Sequence, residues 1–325
     1  SLYSEFELYE ILYQLKSEMR TSHAFIYNKP YVDFNKTGSI GVEYEFDENK
    51  NKFFISKIFQ HDYLTNTYNY INKIDNVVCD KNHLIDQHLF LKADQKINIE
   101  LQQNETINNY EIKTICDADN LIYRTWVNEN RNYIYKKTNN QIGYIHIADM
   151  QKKGFNDFFR SYLNEYKKKG VIIDIRSNRG GSISTLLIDQ LKRKKMGFDN
   201  SPYHEKYEVP HESSDAKYIL LIDNNTASDG EIFAHNFRAE KLGKIIGVRT
   251  WGGTVGIWPR YELLNNLYTS FPEFAVNFKD IGYKLENHGV EPDIIIENDH
   301  MQQFFVENDN QLNYAIEEMF KELKV

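Results

Sequence analysis

The sequence predicts an α/β protein: a layered α/β domain that carries a smaller, mostly β domain and is preceded by a helical segment. Three observations predict it. Between about Gly38 and Cys116, short alternating apolar segments are separated by Asn-, Asp- and Lys-rich turns, the pattern of half-buried strands. From Ile142 onward, apolar β-type runs alternate with amphipathic helical patterns, which calls for strands covered by helices. The 325 residues, 41% hydrophobic and 26% charged, supply enough chain for two domains or for one large domain with an insertion.

Taken in order, Ser4 to Met19 places Leu8, Ile11, Leu12, Leu15 and Met19 on one face of a helix, and Ser4 with Glu7 has capping-box spacing. This helix runs into Arg20-Thr21-Ser22-His23, whose polar groups stand at its C-terminal end. Ile40 to Phe46, Phe53 to Phe59 and Ile97 to Leu101 read as strands of the β region. A second amphipathic segment runs from about Asp119 to Tyr135, and Ile142 to Ile147 reads as a strand. Three strand-turn units follow. Val171 to Ile175 leads through Arg176-Ser177-Asn178-Arg179-Gly180-Gly181 into a helix bearing Ile183, Leu186, Leu187 and Leu191. The glycine pair there lets backbone N–H groups face a ligand. Tyr218 to Ile222 leads through Asp223 to Gly230 into a helix starting near Glu231, and Ile245 to Val248 leads into Arg249-Thr250-Trp251-Gly252-Gly253. A last amphipathic helix spans about Gln311 to Leu323.

The formal charge of −8 gives no general attraction to phosphate backbones, so no nucleic-acid partner is expected. The basic cluster Lys192 to Lys195 follows an apolar helical pattern and reads as a solvated helix end. Cys79 and Cys116 have no metal-ligand spacing and are expected to be reduced and structural. No run approaches the roughly twenty apolar residues needed to cross a bilayer. Without an initiator Met, the chain is expected to be part of a longer protein. The cytoplasm is favoured over the periplasm or the exterior, which would require an upstream signal already removed.

Ser228 lies where a helix begins, and there unpaired N–H groups and the helix dipole stabilise negative charge on an attacked carbonyl oxygen. Its spacing to Glu231 is equally that of an ordinary capping box, and the surrounding sequence is not Gly-x-Ser-x-Gly. Spacing picks out none of the ten histidines as its base. His235, two turns into the same helix, cannot reach back to the helix tip and reads as packing or surface. Standing alone, His23 reads as a C-terminal cap and Glu286 as a solvated loop acid.

Four motifs together carry a resemblance. Asp174-Ile175-Arg176-Ser177-Asn178-Arg179-Gly180-Gly181, Thr226-Ala227-Ser228-Asp229-Gly230-Glu231-Ile232-Phe233, Gly247-Val248-Arg249-Thr250-Trp251-Gly252-Gly253 and Glu286-Asn287-His288-Gly289-Val290-Glu291-Pro292-Asp293 occur in the order found in the tricorn and carboxyl-terminal processing serine peptidases. The likeness runs from about Gly143 to the C-terminus and extends to the first 25 residues. In the family's Ser-Lys dyad enzymes a lysine directly follows the Arg-Thr-Phe-Gly stretch that corresponds to Arg249-Thr250-Trp251-Gly252. Gly253 stands there in this chain, whereas Arg20-Thr21-Ser22-His23 is similar to the segment that supplies the tricorn base.

The resemblance implies a crotonase-like layered catalytic domain at 117–325, a PDZ-like β domain at 38–116 and an N-terminal helical segment at 1–37 carrying the catalytic histidine. It implies a Ser-His-Ser-Glu tetrad, with Ser228 as nucleophile, His23 as base, and Ser22 and Glu286 orienting His23. The backbone N–H groups of Gly181 and Asp229 would form the oxyanion hole, and no metal or organic cofactor is expected. Substrates would be peptides or unfolded proteins, with activity rising as a histidine of pKa near roughly 6.5 loses its proton. Asp199, expected in a loop, would favour basic side chains before the cleaved bond. The β region lacks a clear Gly-Leu-Gly-Phe-type loop, which points to a scaffold role placing His23 over Ser228 more than to capture of peptide termini. Homo-oligomerisation or further upstream domains are implied as partners. Two other readings stay open, a non-catalytic peptide- or ligand-binding protein on the same fold and an acyl-CoA enzyme using oxyanion N–H groups without a serine nucleophile.

Overall fold

Helix α1 (Glu5–Ser17) forms where the apolar periodicity places it, and after a turn strand β1 (Phe25–Asn28) follows. The computed structural model describes residues 5–19, 21–28, 37–59, 69–116, 118–258, 261–262, 267–299 and 306–324. Ser4, on which the expected capping box rests, and Arg20 lie outside them. Ile11, Leu15 and Met19 of the apolar α1 face remain largely exposed. Contacts divide the chain into two compact units, one of Ser1–Lys29 with Glu129–Val325 and one of Pro30–Asn128.

The second unit is built by alternation. Strands β2 (Val42–Asp47), β3 (Lys52–Ile58), β4 (Tyr70–Ile74), β5 (Val77–Val78), β6 (Lys96–Gln103) and β7 (Thr106–Lys113) form an antiparallel sheet in the order β2-β3-β4-β6-β7, with β5 on β4, and the short helix α2 (Ile85–Leu89) lies between β5 and β6. Alternate residues Ile55, Ile71, Ile97, Ile99, Leu101 and Ile112 point inward with Ile85 and Leu89 of α2, as period-two patterning requires. Cys79 is buried in this core, whereas Cys116 is exposed and adds nothing to it, against the expected structural role.

The next elements are α3 (Ala118–Lys137), β8 (Ile142–His146), α4 (Lys152–Glu165), β9 (Gly170–Asp174), α5 (Ser184–Leu191), β10 (Gly197–Ser201), β11 (His204–Val209), β12 (Lys217–Ile222), α6 (Asp229–Ala239) and β13 (Gly243–Gly247). Strands β14 (Val255–Ile257), β15 (Tyr261–Glu262), β16 (Leu267–Ser270), β17 (Pro272–Ala275) and β18 (Ile294–Ile295) precede the last helix α7 (Asn310–Leu323). Strands β8, β9, β12, β13 and β18 form a parallel sheet in the order β18-β13-β12-β9-β8. Largely apolar runs build it because a parallel sheet with helical crossovers is covered on both faces, and every residue of β8 and β9 is buried. Burying each Ile, Leu or Val there contributes about 1.5–3 kcal/mol. Phe158 and Tyr162 of α4, Leu187 of α5 and Phe233 and Phe237 of α6 pack into the same core.

At the end of β9 the fully buried Arg176 guanidinium binds both oxygens of Asp174, Asp309 Oδ1 at 2.9 Å and Gln311 Oε1 at 3.1 Å. Asp309 also accepts the Leu312 N–H as the N-cap of α7. The sheet end and the last helix are thereby held by one paired charge cluster. No helix among the described residues is long and apolar enough to cross a membrane.

Candidate active site

The loops after β9 and β12 are tied together by short-range polar contacts before either reaches a reactive group. The Asp223 carboxylate accepts from the Ser177 N–H at 2.8 Å and the Thr226 hydroxyl at 2.9 Å, and the Ala227 N–H donates to the Asn178 carbonyl at 2.8 Å. These bonds force a sharp entry into α6. Ser228, its N-cap, has φ 55° and ψ −124°, a region that non-glycine residues occupy at a cost of about 1–3 kcal/mol. The capping box forms from the glutamate side, with the Ser228 N–H donating to Glu231 Oε2 at 3.0 Å, while the serine hydroxyl makes no cap hydrogen bond.

The glycine pair packs against this turn. A Cβ on Gly180 would stand 2.6 Å from Ser228 Cβ and 3.0 Å from the Asp229 nitrogen, so only glycine admits the approach. The Gly180 N–H is taken by Asn178 Oδ1 at 2.9 Å. The N–H groups of Gly181 and Asp229 have no partner among the described hydrogen bonds. The Asp229 carboxylate is occupied elsewhere, accepting from the N–H and hydroxyl of Ser184 at the start of α5.

His23 is placed by strand pairing across 245 residues of sequence. β1 runs antiparallel to β16 with Phe25 opposite Ser270, and the buried Ser270 hydroxyl donates to the His23 carbonyl at 3.1 Å and accepts from the Phe25 N–H at 3.3 Å. The imidazole is 6% exposed, with Nδ1 2.7 Å from Ser22 Oγ. Burial holds its pKa below the ordinary histidine value, and the negative charge of Glu286 offsets part of that effect. Glu286 Oε2 accepts the N–H groups of Thr254 at 2.6 Å and Val255 at 3.1 Å. Its Oε1 is buried and accepts no hydrogen bond among the described residues.

One side chain joins the serine turn to the segment beside the histidine. The fully buried Glu231 carboxylate accepts from the Ser228 N–H, the Thr250 hydroxyl at 2.6 Å, the Gly252 N–H at 2.6 Å and the Gly253 N–H at 2.8 Å. Burial nonetheless leaves its pKa above the ordinary carboxylate value. The loop held this way presents Trp251, whose ring lies 5.3 Å from that of His23. A Cβ on Gly253 would meet the Trp251 ring at 2.3 Å and Ser22 Cβ at 2.9 Å, so a side chain at this position has no room.

Residues 141–296, the segment holding the serine turn and the glycine loop, match peptidase family S41. That segment is a peptidase S41 domain. The chain is 37% identical over 98% of its length to a tricorn protease homolog of Saccharolobus solfataricus, and 33% identical over 99% to a tricorn protease of Thermoplasma acidophilum. It spans 31% of the length of each. A crystal structure of the tricorn protease superposes with a TM-score of 0.87 at 32% identity, over all of this chain and 33% of the other.

The glycine loop after β9 sets Gly180, with Gly181 next in sequence, against the turn of Ser228 and Asp229, and His23, Ser22 and Glu286 flank the Thr250–Val255 loop that Glu231 ties to that turn. No hydrogen bond joins Ser228 to His23 among the described residues. His235 is packing, edge-on to Phe278 at 4.3 Å and 3.2 Å from Asp280 Oδ1. Asp199 lies in strand β10 of a two-stranded ribbon with β11, exposed, rather than in a loop, because Phe198 and Asp199 pair with Glu208 and Tyr207. Sequence reasoning missed two residues. Glu231 passes for a cap residue because its other donors, Thr250, Gly252 and Gly253, lie in a separate loop, and Ser270 carries no local signal.

Proposed function

We propose that the chain is a serine peptidase that hydrolyses peptide bonds through an acyl-enzyme on Ser228. The observation that carries this is the Ser228 turn itself, a strained serine with no cap hydrogen bond on its hydroxyl, beside two unused N–H groups, those of Gly181 and Asp229. Such donors, fixed before the reaction, stabilise the negative charge that develops on the attacked carbonyl oxygen, and losing one costs about 10²–10³ in kcat. With Nδ1 of His23 donating to Ser22 Oγ, Nε2 is left to accept the Ser228 proton and return it to the leaving amine. The Ser22 hydroxyl, accepting from Nδ1, would then donate a hydrogen bond to the unpartnered Glu286 Oε1, completing a Ser-His-Ser-Glu tetrad. Catalytic hydrogen bonds are commonly longer before substrate binds than in the working complex, and on this reading the Ser228–His23 bond forms with substrate in place.

The parallel sheet is read as a crotonase-like layer and the antiparallel unit as PDZ-like, with domains at 1–37, 38–116 and 117–325. Peptides or unfolded proteins are the proposed substrates, with Asp199 favouring Arg or Lys before the cleaved bond. Assembly into a homo-oligomer or with further domains is proposed from the greater length of the relatives. Fluorophosphonate labelling tests the central assignment. The parent should label and Ser228→Ala should not, while His23→Ala should lose capture by a peptide chloromethyl ketone. A folded parent that takes up neither reagent would return the chain to the class of binding proteins.

A further inference from the structure

Two aromatic rings flank His23 and neither is used by the tetrad. Trp251 lies 5.3 Å from the imidazole and Phe25 5.9 Å, between ring centroids. The imidazole is 6% exposed, yet Trp251 keeps 45% and Phe25 37% of its surface open. Large apolar side chains in a well-packed site lose surface to their neighbours, and open aromatic faces beside a reactive group mark a place where another apolar group docks. Both rings are held from behind. The Trp251 backbone N–H donates to the Thr226 carbonyl at 3.0 Å, which fixes the main chain, and its ring rests on Gly253, where no side chain intervenes. The Phe25 backbone is fixed by the β1–β16 register, and the Lys16 ammonium lies 5.4 Å from its ring centroid, leaving the rest of its open surface to a substrate.

The chemistry decides which part of a substrate meets these rings. A histidine that accepts the serine proton must hand it to the departing nitrogen, so it stands on the leaving-group side of the scissile bond. The first side chain of the departing segment therefore passes the groups that flank the imidazole. We infer that Trp251 and Phe25 form the subsite for that side chain and give this peptidase a preference for a large apolar or aromatic residue directly after the cleaved bond. The inference rests on the assignment of His23 as the base of Ser228.

Partitioning of the acyl-enzyme between competing amines reads this subsite directly. In the reverse of leaving-group departure, the acceptor nitrogen attacks the acyl carbon, the C–N bond forms, and the C–Oγ bond to Ser228 breaks. His23 takes the amine proton and returns it to Oγ. The whole chain is acylated with an activated peptide ester in a mixture of phenylalanine amide and glycine amide, and the two aminolysis products are quantified by mass spectrometry. Both acceptors attack the same intermediate, so their ratio is insensitive to any damage to the tetrad. Docking a phenyl ring against half-open aromatic faces should favour phenylalanine amide about tenfold in the parent. Trp251→Ala and Phe25→Ala should each bring the ratio down to about two- to threefold, and Trp251→Phe should restore most of it. A parent ratio near one, or a ratio unmoved in both alanine variants, would overturn the subsite while Ser228-dependent acylation still upheld the tetrad. Absence of any Ser228-dependent acyl-enzyme would remove the tetrad and the subsite together.

Discussion

At the scale of single residues, the balance of burial and charge at His23 sets how the site responds to pH. The imidazole is nearly enclosed, which disfavours its charged form, and Glu286 returns only part of the cost. The native state therefore binds this proton less well than the unfolded chain does. Stability from this group is full above the unfolded value of about 6.5 and falls as pH drops through it toward the lower folded value. With His23 as the proposed base, activity should follow the same group, since only neutral imidazole can accept the serine proton, and the acid limb of kcat/KM should have its midpoint below about 6.5. Glu286→Gln removes the charge that raises the imidazole pKa. Its acid limb should move to still lower pH, with kcat falling about 10- to 100-fold from the loss of histidine orientation. A pH–rate profile of the two proteins checks both signs, and an acid limb shifted upward in Glu286→Gln would contradict the assigned electrostatics.

At the scale of elements, the site is an agreement between loops that leave successive strands of one parallel sheet. The loop after β9 brings Gly180 and Gly181, the loop after β12 brings Ser228, and the loop after β13 brings Trp251 to Gly253. Glycine is required where these backbones touch, and position 180 shows the cost of anything larger. Gly180→Ala would set a methyl 2.6 Å from Ser228 Cβ at φ 89°. The rigid loops on both sides cannot yield, so kcat should drop by about 100-fold or more, with fluorophosphonate labelling slowed in parallel. Gly197→Ala, in the β10–β11 ribbon, meets nothing within 4 Å. It should leave labelling unchanged and stability within about 0.5 kcal/mol. Comparing the two by labelling rate and urea midpoint separates a blocked Ser228 turn from a general intolerance of added methyl groups.

At the scale of the whole molecule, the C-terminal end of strand β9 depends on the charge cluster around Arg176. Its guanidinium neutralises Asp174 and Asp309, all three fully buried, and links β9 to the start of α7. Arg176→Met keeps the volume but leaves two carboxylates without their cation, which should cost about 3–5 kcal/mol. Urea unfolding should show a lower midpoint with an unchanged slope. Asp309→Asn, which keeps the N-cap acceptor of α7 and removes one of the two charges, should cost less. If Arg176→Met unfolded at the parent midpoint, the cluster would be dispensable for the joining of sheet and helix.

Much of this was legible in the sequence because its causes are local. Short apolar runs rich in Ile, Val and Leu and bounded by turn residues favour strands covered on both faces, so β8, β9, β12 and β13 could be placed to within a residue or two. Alternation marked the antiparallel unit, and the residues at the tip of α6 announced a helix start. The same local logic misled where a residue's partner is remote. Glu231 has the spacing of a cap and caps Ser228 in fact, but its other three donors come from the loop after β13. His23 reads as a helix end until β16, some 245 residues on, fixes it through Ser270. Asp199 reads as loop because a two-stranded ribbon has no buried face to impose a pattern. The sequence by itself determined which segments form the sheet, its helices and the turns at their ends, since those follow from periodicity and backbone sterics. Only the tertiary structure decided which turns meet, because contacts between segments far apart in the chain are selected by packing of the whole core and leave no mark at the fixed spacings a sequence displays.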